Sequence, residues 1–130
     1  MGKHRGSCHC RCISFEFDGD VGVAIECNCS ICRKKGAVWH GTDDAHFRIL
    51  SGEADLGIYR FGTMTARHYF CKVCGVSPFS HPRIAPTMWA VNLRCVDDID
   101  LSGLKIHGFD GQHWEAAARQ FKPLRPSGAV

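Results

Sequence analysis

No apolar run in this 130-residue chain approaches the ~20 residues of a membrane-spanning helix. Nothing apolar follows the opening Met1-Gly2-Lys3-His4-Arg5-Gly6, so no secretory signal is expected. Gly6 stands where myristoylation would want Ser or Thr. Charge of one sign is not in excess either. Sixteen Lys and Arg against 13 Asp and Glu leave +3 with the eight histidines neutral. The basic residues are scattered except for Arg33-Lys34-Lys35, too short a cluster to indicate nucleic-acid binding. No segment repeats at a fixed period, and no tract is of low complexity. The length leaves room for one domain. Apolar residues at 45% and charged residues at 22% exclude wholesale disorder.

Cysteine is the residue in excess. Nine in 130 is just under the ~8–10% of disulfide scaffolds. The count is odd, so a fully paired disulfide framework would leave one thiol over. A reducing cytosol is therefore the expected location, where thiols and metal thiolates persist. Metal ligation is the leading use for these sulfurs.

The rest of the pattern is short strands and turns. Ile13, Phe15 and Phe17 alternate with Cys12, Ser14 and Glu16, the period of a half-buried strand. Asp18-Gly19-Asp20 turns the chain into a second strand, Val21 to Cys27. His46 to Leu50 and Leu56 to Phe61 read as strands around a Ser51-Gly52 turn. Ala66 to Phe70 runs into Cys71, and Thr87 to Leu93 is the last strand expected. Pro78, Pro82 and Pro86 are expected to keep their segment irregular or on an edge. One helix is expected, Gln112 to Phe121, capped by Asp110 or Gly111 and stopped by Pro123. The tail Pro126 to Val130 is expected to fray. The fold class is mainly β with a short C-terminal helix.

The cysteines form three tight groups: Cys8-x-Cys10, Cys27-x-Cys29-x-x-Cys32, and Cys71-x-x-Cys74. Cys12 and Cys95 stand apart. Cys71-Lys72-Val73-Cys74-Gly75 has the form of a zinc knuckle. Its tight turn points backbone N–H groups at the sulfurs, and glycine takes the positive-φ position that follows. Seven grouped thiols divide into four and three. Four thiolates close a tetrahedral site, whereas three leave a position open. Spacing does not choose the four. Cys29 and Cys32 can join Cys71 and Cys74, or Cys8 and Cys10 can, leaving Cys27, Cys29 and Cys32 as a compact local cup. A redox role for Cys71 and Cys74 lacks the expected βαβ context. Cys12 reads as an ordinary small residue, and Cys95 as a core thiol or a fourth ligand.

Four segments together resemble a known family. They are Gly6-Ser7-Cys8-His9-Cys10, Cys27-Asn28-Cys29-Ser30-Ile31-Cys32-Arg33-Lys34-Lys35-Gly36, Tyr59-x-Phe61 and Phe70-Cys71-Lys72-Val73-Cys74-Gly75. The family is that of the glutathione-dependent formaldehyde-activating enzymes. Phe61 through Arg83 and Phe109-Asp110-Gly111-x-x-Trp114 look like its centromere protein V branch. The resemblance spans about residues 4 to 121, taken as one zinc-binding domain, with 122–130 expected to be a flexible tail. It implies a mainly-β, Mss4-like fold and two Zn2+ sites. Cys8, Cys10, Cys71 and Cys74 would hold a structural zinc; Cys27, Cys29 and Cys32 would hold a catalytic one. It further implies a carbon–sulfur lyase that handles glutathione or its hemithioacetal with formaldehyde. His40, His68, His81 and Asn28 are candidates for moving the proton. Arg33, Lys34 and Lys35 could meet glutathione carboxylates.

One departure bears on the first turn. Arg11 stands where the family carries glycine after Cys-His-Cys. Either no glycine-specific backbone angle is needed there, or the turn differs. Two other readings compete with the enzyme. One is a zinc-stabilised protein- or chromatin-binding module, although the basic region tied to a chromatin role is absent. The other is a structural domain whose second site is closed by Cys95 or a histidine. No membrane partner is indicated.

Overall fold

The computed structural model describes residues 2–121. Ten strands and two helices follow in order: β1 (Lys3–Ser7), β2 (Ser14–Asp18), β3 (Val23–Cys27), α1 (Cys32–Lys35), β4 (Trp39–Thr42), β5 (Phe47–Ser51), β6 (Leu56–Tyr59), β7 (Arg67–Cys71), β8 (Phe79–His81), β9 (Trp89–Asn92), β10 (Lys105–Phe109) and α2 (Trp114–Gln120). The expected mainly-β class with a C-terminal helix is what the structure shows.

The strands form two sheets. The smaller is β1-β2-β5, and the larger runs β10-β3-β4-β9-β8-β7-β6. Neighbours are antiparallel except β10, which lies parallel to β3. The alternation at Ile13, Phe15 and Phe17 turns all three into the space between the sheets, where each is fully buried. From β5, Phe47 joins them; from the larger sheet come Phe79 and Val91. Their rings meet edge-on, with Phe15 and Phe47 at 5.7 and 5.3 Å from Phe79. Such pairs add about 0.5–1.5 kcal/mol each beyond the area they bury.

A second apolar cluster lies around Ile25, Ala37, Trp39, Ala90 and Phe109, with Trp114, Ala117 and Phe121 packed against it from the C-terminal segment. Thus α2 covers part of the larger sheet rather than the main core.

The two strands expected around Ser51-Gly52 are present as β5 and β6. They do not pair with each other: β5 pairs with β2 and β6 with β7, because a 3-10 turn at Glu53–Asp55 carries the chain from one sheet to the other. Three expectations need correction. Residues 82–88 are irregular as expected, but the proline-flanked segment also contains β8, paired on both sides with β7 and β9. Its three residues lie between Pro78 and Pro82, so every N–H in it remains available. Thr87 to Leu93 is not the last strand, since β10 follows. A second helix exists, the single turn α1, ended by Gly36 at φ 66°. The expected stop at Pro123 and the tail 122–130 lie outside the described residues.

Candidate functional site

Two hairpin ends bring four cysteines together. Cys8 and Cys10 sit in the turn after β1, and Cys71 and Cys74 at the end of β7. Their four sulfurs lie within 4.8 Å of one another. Cys10 Sγ is 3.7 Å from Cys71 Sγ and 3.6 Å from Cys8 Sγ. Backbone amides stabilise negative charge on these sulfurs. Ile13 N–H donates to Cys8 Sγ at 3.3 Å, and the Val73 and Cys74 amides donate to Cys71 Sγ at 3.3 and 3.4 Å. The amides of Cys10 and Val76 hold the Cys74 thiol at about 6. Gly75 takes φ +83°, the left-handed position expected after the knuckle. Arg11 takes φ +68°, so the left-handed angle is needed in this turn although no glycine supplies it.

The other three grouped thiols form a separate cup. Cys27 ends β3, Cys29 sits in the following turn, and Cys32 opens α1. Their sulfurs also lie within 4.8 Å of one another. Cys29 N–H donates to Cys27 Sγ, and Cys32 N–H to Cys29 Sγ, both at 3.4 Å. Hydrogen bonds from the Cys27 and Cys32 thiols bring Cys29 down to about 2. The bond to Cys29, a further one to Cys32 and then burial push Cys27 well above the ordinary thiol range. Among the described residues, no fourth His, Cys, Asp or Glu joins this cup. Each cluster could hold a metal ion.

The parallel pairing of β10 with β3 puts Phe109 beside Cys27 and brings the next residues over the cup. Asn28 anchors them. Its amide donates to Asp110 Oδ1 at 3.0 Å, and its Oδ1 accepts from Gln112 N–H at 3.1 Å. Asp110 and His113 also bond at 2.9 Å.

The cup lies between two cavities of different character. One has a volume of about 600 Å³ and is largely apolar, walled by Ile25, Trp39, Phe61, Met88, Trp89 and Trp114 among others. Its floor follows the strand register. His68 pairs with Ser80, Ser80 with Ala90, and Ala90 with Gly41. Three small residues in a row leave the depression. The other cavity is a more open cleft of about 550 Å³, lined by Glu26, Asn28, Arg33 and Asp110. Cys27 and Cys32 border both.

One polar pair stands at the apolar cavity. His68, on β7 and 7% exposed, lines it. Its Nδ1 lies 3.2 Å from Lys35 Nζ and accepts that proton donor, leaving Nε2–H as its own donor. Burial, then the Lys35 charge, holds His68 at about 4. Burial also lowers Lys35, which lies 5.4 Å from the Trp39 ring centroid.

The other expected participants fall elsewhere. His40 packs against Phe17 at 5.1 Å and lines neither cavity. His81 Nδ1 donates to the Met88 carbonyl at 2.8 Å. Of the basic cluster, Arg33 reaches the polar cleft, Lys34 lines neither cavity, and Lys35 bonds His68. Cys95 packs in the main core near Cys8 and Cys74 rather than closing the cup, and burial pushes its thiol to about 11. Cys12 donates to Asp55 Oδ2 at 2.9 Å, and that bond raises it to about 11. The sequence assigned no part in the site to Gly111, expected only as a helix cap, or to Trp114 and Arg83. Arg83 lies 3.7 Å over the Trp114 ring at the cavity wall. The Phe109-Asp110-Gly111-x-x-Trp114 segment was the available signal for two of them.

A family model described as glutathione-dependent formaldehyde-activating enzyme matches residues 3–112. A solved structure of a Rhodobacter sphaeroides protein is similar at 30% identity and a TM-score of 0.72. The match covers 79% of this chain and 99% of that one. Among the described residues, no helix is long and apolar enough to cross a membrane.

Proposed function

The chain belongs to the glutathione-dependent formaldehyde-activating enzyme family, and we propose that it is a zinc-dependent carbon–sulfur lyase joining glutathione to a small carbonyl compound. Residues 4–121 act in this reading as one domain. The observation that carries it is the three-thiol cup set between a polar cleft and an apolar cavity.

The donor sets fit zinc. Both are made of sulfur alone, with backbone amides directed at the sulfurs, the chemistry zinc prefers in tetrahedral sites. Cys8, Cys10, Cys71 and Cys74 would hold a structural ion, and Cys27, Cys29 and Cys32 a second one. When bound at the cup, zinc would supply a soft position for a further sulfur and favour its thiolate at neutral pH.

The chain's own residues do the rest. Arg33 in the polar cleft pairs with a glutathione carboxylate. Asn28, Asp110 and Gln112 hold the loop over the cup and fix its mouth. The apolar walls exclude water from the carbonyl. Holding the two reactants together supplies proximity and orientation. His68 passes its Nε2 proton to the oxygen that becomes a hydroxyl, while Nδ1 takes one from Lys35. Burial makes Lys35 a readier donor than an exposed lysine.

The test is metal content with turnover. The expected result is near two zincs per chain and formation of the glutathione adduct, with Cys29→Ser folded but inactive. Unchanged turnover in that variant would sink the mechanism. A protein- or chromatin-binding module predicts no saturable glutathione binding in calorimetry.

A further inference from the structure

We propose that the apolar cavity takes the body of an aromatic aldehyde, so that the carbonyl partner of the thiol is a ring-bearing molecule rather than formaldehyde. This rests on the thiol–carbonyl reading above and names its substrate class.

Size is the first argument. Formaldehyde has two heavy atoms and resembles water in bulk, which occupies about 30 Å³. The cavity, at about 600 Å³, would hold on the order of twenty such molecules. Its volume falls instead in the range that encloses drug-sized ligands, roughly 300–1,000 Å³. A two-atom carbonyl would be left unoriented in it, and orientation is what such a site contributes.

The lining is the second argument. Trp39, Trp89, Trp114, Phe61, Phe109 and Phe121 all border the space. Aromatic walls favour a flat ring through stacked and edge-on contacts. Among the described lining residues, Arg83 is the sole permanently charged side chain. It is already engaged, lying over Trp114 and 3.7 Å from Glu115. Polar groups of the floor are few, His68 and Ser80, beside each other on β7 and β8. An aldehyde has this distribution, with one polar oxygen on an apolar body.

The two cavities divide the labour. The cleft with Glu26, Arg33 and Asp110 suits a peptide thiol that carries both carboxylates and an amine. The apolar cavity suits the aldehyde, and Cys27 and Cys32 border both. In the reaction, a bond forms between the thiol sulfur and the carbonyl carbon. The thiol's S–H bond breaks and its proton is released to solvent, the π pair of the C=O bond moves onto oxygen, and one proton is delivered to that oxygen. Nothing is oxidised, and no group leaves.

The chain has three tryptophans, and all three line the cavity. Intrinsic fluorescence of the full-length protein therefore reports occupancy without turnover. Benzyl alcohol, an unreactive mimic of benzaldehyde, is expected to change the emission saturably and at least ten-fold more tightly than ethanol. Ala85→Phe, in the turn between β8 and β9, is expected to weaken benzyl alcohol at least five-fold. Thr63→Phe on the opposite rim serves as a second filling variant. In turnover with glutathione, benzaldehyde is expected to exceed formaldehyde at least ten-fold in kcat/KM. Absent or equal responses to the two alcohols overturn the inference, even if formaldehyde is turned over. Benzyl alcohol binding with no turnover of any aldehyde supports the ligand class and overturns the thiol–carbonyl reading.

Discussion

Gly111 lies against Cys27 so closely that a Cβ on it would stand 2.6 Å from the Cys27 sulfur. The same atom would stand 2.6 Å from Cys29 Cβ and 3.1 Å from the Cys29 amide nitrogen. Glycine is therefore required here by close approach of the loop to the cup. Gly111→Ala must push the loop or the thiols apart. Its expected effect is at least a ten-fold loss of metal affinity at the cup, with the four-cysteine cluster and the melting transition kept. Metal stoichiometry under a competing chelator checks this. Equal retention in the variant and the parent protein would contradict it.

Cys71 has no exposed surface, accepts two amide hydrogen bonds and stands 3.7 Å from Cys10. It is the sulfur that ties β7 to the N-terminal turn. Structural zinc sites bind with about 10–16 kcal/mol, as much as a whole domain's stability. Cys71→Ser is expected to abolish cooperative unfolding by circular dichroism, whereas Cys29→Ser keeps it. A chelator should act on the parent protein as Cys71→Ser does, and equal melting temperatures with and without it would refute the role.

The three-thiol cup, spanning six residues from Cys27 to Cys32, was one of two divisions the spacing allowed, and the family resemblance pointed to it. Spacing left the partners of Cys71 and Cys74 open too, since it cannot say which turn β7 meets. β10 was missed because its residues are mostly exposed and only Phe109 is buried, so no period of two is written into it. β8 was hidden by its flanking prolines. The apolar cavity was invisible for a different reason. Gly41, Ser80 and Ala90 come from three strands and line up only once the register is known.

Arg11 takes φ +68° and is exposed. A non-glycine residue in the left-handed region costs about 1–2 kcal/mol. Glycine removes that cost but adds freedom to the unfolded chain, worth about 0.4–1 kcal/mol in the other direction. Arg11→Gly is therefore expected to stabilise the protein by up to about 1 kcal/mol. Chemical denaturation reads the difference directly, and a loss of stability would show that the arginine side chain makes a compensating contribution.

His40 packs on Phe17, and burial followed by the His4 charge lowers it from 6.5 to about 4. Below about pH 6.5 the unfolded chain then binds a proton that the folded chain refuses. Stability falls as pH drops from 6.5 towards 4, by on the order of 3 kcal/mol for this group. His40→Gln is expected to flatten that part of the profile relative to the parent protein. Both proteins share the acid lability of the thiol clusters, so the difference between their denaturation midpoints isolates His40. Parallel curves would rule out the assignment.

Lys35 and His68 make a prediction about rate rather than stability. Lys35 Nζ bonds His68 Nδ1 at 3.2 Å, and burial lowers the lysine below its ordinary value. As the proton source, Lys35 must be charged, so turnover is expected to fall as pH rises through its lowered pKa. Lys35→Met should reduce kcat by about 10²-fold or more, the usual contribution of a positioned proton donor. It should also erase that alkaline limb. Lys35→Arg keeps the charge to higher pH and should move the limb upward. His68→Gln should lose rate without changing glutathione affinity, because His68 faces the apolar cavity and Arg33 the cleft. An alkaline limb that persists in Lys35→Met would place the titrating group elsewhere.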